Sequence, residues 1–375
     1  MKRSTAATLE DVAREAGVSA MVASVVLNGA RSSTRVSEKT RARILEAAAR
    51  LHYRRNALAL GLSRNRIDTI GVAATIDSSD VNLYFLEVLN GILGAAAEHG
   101  QSANVFSVFD WQRDQARLLE FCDGRIDGMI LIGPHLDAAF AEALAHHTRF
   151  VTLHSNSALP NAYNLDVDNE RGGYEATRHL LEQGHRRIAH FAANLDLVGA
   201  QQRLAGYRRA LEEAGIAFED SLVVPGQFNI DSGRQSMSAL LERCASAPLP
   251  TAIFCASDAI AYGCMEVLTS HGIRIPDDIS VVGFDDTMMA RMTRPPLTTV
   301  CQPFRQMGRR AVELLLSQIH ADEVPAAEEN TPSALAAPGD DADSHTVIFA
   351  VELVVRESTG PPPKQPIVPV SLSTR

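Results

Sequence analysis

Apolar positions near the start of the chain recur every three or four residues. Val12, Ala13 and Ala16 form one stripe, Ala23, Val26 and Leu27 a second, and Ile44, Leu45, Ala48 and Leu51 a third. Each stripe has its punctuation. Thr8 stands as a cap with Asp11 three residues on, where a carboxylate suits the positive end of a helix and can reach back to the free amides. Gly17 gives the backbone freedom for a turn, Val18 can plug the angle between helices, and Ser19 caps the second helix. Asn28-Gly29 stops that helix and Ser37 caps the third. The spacing predicts a helix-turn-helix within three helices around one small core.

From residue 67 the period changes. Short apolar runs at 70–76, 104–108, 129–132, 150–153 and 165–167 read as strands, with amphipathic helices over 81–99, 113–121 and 136–146 between them. The second half repeats the rhythm, with strands near 188–192, 223–224, 252–255 and 279–283 and helices near 169–183, 201–214, 232–244, 258–271 and 303–320. This alternation predicts an α/β body of doubly wound parallel sheets in two similar lobes. Residues 322–345, rich in Ala, Pro, Asp and Glu, and 359–375, rich in Pro, Ser and Thr, are read as a disordered insertion and a disordered tail.

Charge separates the two regions. Residues 1–66 carry 13 Lys and Arg against 5 Asp and Glu, whereas the remainder carries 22 against 40. A basic head on an acidic body suits a first domain that meets phosphates. The five cysteines (Cys122, Cys244, Cys255, Cys264, Cys301) are too irregularly spaced for a zinc pattern or a disulfide framework and are expected to be reduced. With neither an apolar signal core nor a run long enough to span a bilayer, the chain is expected in the cytoplasm. A glycine-rich phosphate loop, a serine elbow and His-Glu-x-x-His are all missing, and His146-His147 reads as a solvated helix end. No cofactor, metal or catalysis is therefore expected. A two-lobed solute-binding protein is the rival reading, but such a protein needs export rather than a basic helical head.

The run Thr8-Leu9-x-Asp11-Val12-Ala13-x-x-Ala16-Gly17-Val18-Ser19, followed by Val26-Leu27-Asn28-Gly29 and by Asn56-Ala57-Leu58-Ala59, resembles the head and hinge of the lactose-repressor family of bacterial transcription regulators. Gly184-His185-Arg186-Arg187-Ile188, Arg203-x-x-Gly206-Tyr207, Val281-Val282-Gly283-Phe284-Asp285-Asp286, Pro295-Pro296-Leu297-Thr298-Thr299 and Glu352-Leu353-Val354-Val355-Arg356-Glu357-Ser358 resemble its body. The resemblance implies a periplasmic-binding-protein-like body behind a DNA-binding head. It divides the chain into a head (1–54), a hinge segment (55–66), a first lobe (67–180) and a second lobe (181–300). Residues 301–321 would then return to the first lobe and 346–358 to the second. It further implies a repressor of double-stranded operator DNA set by a small-molecule effector, a sugar or sugar derivative. The tail lacks apolar heptads, so a homodimer through the lobes is the expected assembly. A regulator with degenerate DNA specificity is the alternative.

By that resemblance Thr8, Ser19, Ala20, Met21, Ser24, Val25 and Asn28 face DNA, with Arg31 and Arg35 near phosphates. Asn56, Ala59 and Leu62 would serve a hinge that wedges Leu62 into the minor groove. The sequence departs from the family at Val22-Ala23-Ser24-Val25, where Thr-Val-Ser-Arg is usual. A branched hydrocarbon thus replaces an arginine able to fork onto guanine, and Met21 and Val25 are expected to prefer thymine methyls. In the body, the resemblance assigns effector contacts to Arg203, Asp285, Phe228, Tyr84 and Phe85. Asp77, Asp168 and Ser257-Asp258 join them because they follow strands at the carboxyl edge where such folds bind ligands, although aspartates there also cap helices.

Overall fold

In a computed structural model of the chain, the described residues are 7–28, 35–54, 66–75, 83–157, 159, 162–321, 345–365, 367 and 368. The chain divides into two compact units, Met1–Asp68 and Thr69–Arg375.

The first unit holds α1 (Leu9–Ala16), α2 (Ala20–Asn28) and α3 (Glu38–Arg50). Thr8 Oγ1 accepts from the Asp11 amide at 3.2 Å while the Thr8 amide donates to Asp11 Oδ2 at 2.9 Å, a reciprocal cap. Gly17 takes the left-handed conformation that ends α1, at φ 61°. Ser37 caps α3 by accepting from the Thr40 amide at 3.2 Å. Val12, Ala13, Ala16, Ala23, Val26, Leu27, Ile44, Ala47 and Ala48 make the core. Leu45 departs from expectation. It is 51 % exposed, because the buried face of α3 runs through Ala47 instead.

The second unit contains two six-stranded sheets built alike. The first lobe uses β1 (Thr69–Thr75), β2 (Ser102–Val108), β3 (Gly128–Ile132), β4 (Arg149–Leu153), β5 (Tyr163–Val167) and β11 (Thr346–Phe349) in the order β2-β1-β3-β4-β5-β11. The second uses β6 (Ile188–Ala193), β7 (Val223–Pro225), β8 (Ala252–Cys255), β9 (Ser280–Asp285), β10 (Thr298–Cys301) and β12 (Glu352–Val354) in the matching order β7-β6-β8-β9-β10-β12. All pairs are parallel except β10 with β12. Helices α4 (Leu83–Glu98), α5 (Trp111–Asp114), α6 (Arg117–Phe121) and α7 (Ala138–His147) belong to the first lobe. Helices α8 (Asn169–Glu182), α9 (Val198–Glu213), α10 (Ile230–Arg243), α11 (Asp258–Ser270) and α12 (Met288–Met292) belong to the second. Helix α13 (Phe304–Ala321) returns to the first lobe and buries Met307, Ala311, Val312 and Leu315 with Val88 and Ile92 of α4.

Three expectations change. The helix expected over 113–121 is two short helices, α5 and α6. The stretch expected wholly in the second lobe splits, with β11 joining the first sheet beside β5 and only β12 joining the second. The tail from 359 is in part anchored. Thr359 bonds the ring of His179 at 2.9 Å, the Gly360 carbonyl meets His185 Nε2 at 2.9 Å, and the Ile367 carbonyl accepts from the Leu249 amide at 2.8 Å. Buried hydrogen-bonding partners on the second lobe outweigh the loop-like composition of that stretch. The insertion, apart from His345, lies outside the described residues.

The chain crosses between lobes three times, between β5 and α8, between β10 and α13, and between β11 and β12. The crossings are joined, since the Asp168 amide donates to the Phe349 carbonyl at 3.0 Å.

Candidate effector cleft and DNA-reading helix

The polar residues between the lobes gather at these crossings. Asn169, just after β5, donates through Nδ2 to Asp166 Oδ1 at 3.1 Å, and its Oδ1 accepts from Arg203 Nε of α9 at 2.9 Å. Arg203 is 6 % exposed, lies 3.7 Å over the Phe284 ring and 5.5 Å from that of Phe228, and donates to the Ala256 carbonyl. The guanidinium is thus held on one face by an aromatic ring and at two donors by the fold. Gly173 makes this possible, because a Cβ there would stand 2.3 Å from the Arg203 carbonyl oxygen. At the second crossing, Gln302 Nε2 donates to Asp285 Oδ1 at 2.7 Å.

The first lobe supplies an aromatic and imidazole wall. The Tyr84 ring meets those of His154 and Phe304 edge to face, at 5.4 and 5.2 Å. His154 Nδ1 is 2.9 Å from Asp166 Oδ1. Three buried polar atoms here have no hydrogen-bond partner within the protein, Tyr84 Oη, His154 Nε2 and Gln302 Oε1. Buried polar groups are normally paired, so a convergent set of this kind fits a small polar molecule. His154, Asp285 and Asp286 also hold positive φ angles of 52°, 128° and 54°, a conformation uncommon for residues with a side chain, although His52, Asp68 and Ala193 adopt it elsewhere in the chain.

Burial and neighbouring charge set the ionisation. Burial pushes the Asp285 carboxyl up to about 6, with Arg203 and the Gln302 bond pulling the other way. Asp166 also feels burial, but His154 and the Val167 amide outweigh it and hold the carboxyl below its ordinary value. Burial, reinforced by Asp166 and Asp285, raises the Tyr84 phenol well above its usual range, so it stays a neutral donor.

Several expected contacts have other employment. Asp168 caps α8 by accepting from the Arg171 amide at 2.9 Å, and Ser257 caps α11 by accepting from Ile260 at 3.3 Å. Asp258 is 2 % exposed and accepts from the Thr287 amide, the Thr287 hydroxyl and the Thr299 hydroxyl at 2.7, 3.0 and 2.6 Å. Phe85 lies in the first-lobe core. Phe228 is 37 % exposed beside Arg203, as a stacking residue would be. Asp77 lies outside the described residues. Asp166, Asn169, His154 and Gln302 were not among the expected contacts. Gln302 follows β10, a strand the apolar pattern did not separate from its surroundings, and Asp166 sits inside β5 rather than after it.

In the head, Ala20 and Met21 are exposed on α2, Met21 to 69 %, while Ser24, Val25 and Asn28 are half-buried. Ser19 Oγ accepts from the Val22 amide at 3.4 Å and Thr8 caps α1. Arg35 is exposed. Arg31, Asn56, Ala59 and Leu62 lie outside the described residues.

Comparison with known proteins gives the family. Residues 8–56 match the model of bacterial regulatory proteins of the lacI family, and residues 177–359 match a periplasmic binding protein-like domain. The HTH-type transcriptional repressor PurR of Vibrio atlanticus is 36 % identical over 318 residues, covering 84 % of this chain and 92 % of that protein. The chain belongs to the lacI family of bacterial regulatory proteins. Two solved structures of transcription regulators are similar over its length. A Lac repressor dimer bound to operator and an anti-inducer has a TM-score of 0.78 and 29 % identity, covering 95 % of this chain and all of that one. A complex of the regulator CelR with cellobiose has a TM-score of 0.65 and 30 % identity, covering 94 % and 99 %. The head and two-lobed body expected from sequence are those of the family, whose members are DNA-binding transcription regulators and not enzymes. Among the described residues no helix is long and apolar enough to cross a membrane.

Proposed function

We propose that the chain is a dimeric repressor of a near-palindromic operator, and that an uncharged polyhydroxylated effector held between the lobes sets its grip on DNA. The observation that carries this reading is the pair of bonded chains from the cleft into the crossings, Arg203 to Asn169 to Asp166 and Gln302 to Asp285. A ligand that engages these groups changes the bonds on which the lobes turn. The dimer is supported by the similar Lac repressor dimer on its operator, and the sugar by the CelR complex with cellobiose.

Charge argues for an uncharged ligand. Arg203 already faces Asp166 and Asp285, so a phosphate or carboxylate would meet a cation whose charge is spent. Hydroxyls suit the remaining donors and acceptors of Tyr84, His154 and Gln302, and Phe228 can stack on an apolar sugar face. Linkage then requires an inducer to bind the DNA-bound form less tightly than the free form.

The test is fluorescence anisotropy of the full chain on promoter fragments from its own genomic neighbourhood, with and without mono- and disaccharides. An uncharged sugar is expected to change operator affinity at millimolar concentration or below. Binding that no sugar alters, or that only sugar phosphates alter, overturns the effector reading. No fragment bound at low salt overturns the repressor reading.

A further inference from the structure

The outward face of α2 is almost bare of base-reading chemistry. A forked bond to guanine needs Arg or Lys and one to adenine needs Asn or Gln. Of these types α2 has only Asn28, at its last position, and the Asn28 side chain donates to the Ser24 hydroxyl at 3.2 Å. Ala23, Val26 and Leu27 are spent in the head's core. What remains outward is the Ala20 methyl, the Met21 thioether, and the half-buried Ser24 hydroxyl and Val25 isopropyl group, of which the hydroxyl already accepts the Asn28 amide. Arg35, Lys39, Arg41 and Arg54 are exposed elsewhere on the head, and the basic excess of residues 1–66 complements a phosphate backbone.

An apolar helix face in a major groove has one kind of apolar partner on the base edges, the methyl group at C5 of a pyrimidine. Thymine carries it, cytosine does not, and 5-methylcytosine presents the same methyl at the same place. We infer that α2 reads C5-methyl groups through Met21 and Val25, so that this regulator binds more tightly wherever the facing pyrimidine is methylated, whether thymine or 5-methylcytosine. The inference rests on the DNA-binding reading above and adds sensitivity to cytosine methylation. Each methyl buried against the thioether or the isopropyl group is worth about three- to fourfold in affinity, the effect of burying one methylene.

The experiment begins with sites selected by the full chain from a random duplex library. In the best site each thymine is replaced by deoxyuridine, which removes only the methyl, and each cytosine by 5-methylcytosine. Expected are one or two positions per half-site where deoxyuridine weakens binding about three- to fourfold, or where 5-methylcytosine strengthens it as much. Both effects should vanish in Met21→Ala and Val25→Ala, and deoxyuridine outside the half-sites should have none. Met21 is exposed, so its removal leaves the core intact, whereas Arg41→Ala should weaken all sequences alike and flatten the salt dependence. A chain that selects a site yet binds thymine and uracil copies equally, or reads an unmethylated G·C pair opposite Val25, overturns this inference alone. A chain that selects no sequence overturns the repressor reading with it.

Discussion

Arg203 and Asn169 share a hydrogen bond of 2.9 Å, and through it the buried cation of the second lobe is fastened to the residue on which the chain leaves the first. The same asparagine donates to Asp166, which in turn faces His154. The proposed ligand contact and the lobe crossing are therefore parts of one hydrogen-bonded unit, so that under the reading above a change at the cleft reaches the turning point without a long relay.

Replacing Arg203 by Lys keeps the charge but loses the Nε bond, the flat contact with Phe284 and the fork. Roughly ten- to a hundredfold weaker effector binding is expected, the worth of one charged hydrogen bond, together with an altered operator affinity in the absence of effector, because the lost Nε bond to Asn169 lies at the lobe crossing. Calorimetric titration with the sugar that shifts operator binding, beside anisotropy on DNA, checks both halves.

Asp285→Asn is expected to stabilise the ligand-free body while weakening effector binding. A buried carboxyl whose folded pKa is about 6 favours the native state while protonated, and that advantage is lost as pH rises from about 4 to about 6. At pH 7.5 the asparagine variant gains up to about 3 kcal/mol, because it carries no charge to desolvate. Urea unfolding of both proteins at pH 5 and 7.5 decides it, and a variant less stable at pH 7.5 would contradict the account.

His190 gives the opposite slope. Its ring stacks on Tyr207 and Phe254 and bonds the Phe254 carbonyl at 3.0 Å, and burial pulls its pKa down to about 4. The unfolded chain therefore binds a proton that the native one refuses, and stability falls as pH drops from about 6.5 towards 4, by about 3 kcal/mol in all. His190→Phe loses the hydrogen bond at every pH yet escapes this penalty. Its deficit against the parent at pH 7.5 should shrink or reverse by pH 5 in thermal melts.

Gly173→Ala places a methyl carbon 2.3 Å from the Arg203 carbonyl oxygen, so α8 and α9 must part. A loss of about 1–3 kcal/mol is expected, together with weaker effector binding because Arg203 moves with its helix. Melting temperature and effector titration on the same sample test the link. Normal stability with normal binding would mean that the helix pair yields freely.

Periodicity made the fold legible. The stripes at Val12, Ala23 and Ile44 predicted the head, and the alternation of short apolar runs with amphipathic stretches predicted both sheets. In α3 the conspicuous Leu45 masks the buried face through Ala47, because alanine carries little apolar weight. The split of 346–358 was hidden because sequence does not say which sheet edge is open. Arg203 and Asp285, which the resemblance assigns to the effector, are both found buried and hydrogen-bonded at the lobe crossings. Asp166, Asn169, His154 and Gln302 emerge only once three crossings bring residues far apart in the chain to one place. Asp258 shows the converse, a carboxylate at a strand end whose oxygens are taken by Thr287 and Thr299.

The stretch 322–344 leaves α13 and enters β11, both on the first lobe, whereas Ser358 to Gly360 are bonded to the second. A fluorescent protein spliced into that stretch would ride with one lobe, and a second fused at the carboxyl terminus would follow the other. Energy transfer between them would report lobe closure directly, turning the regulator into an optical sensor of its own ligand.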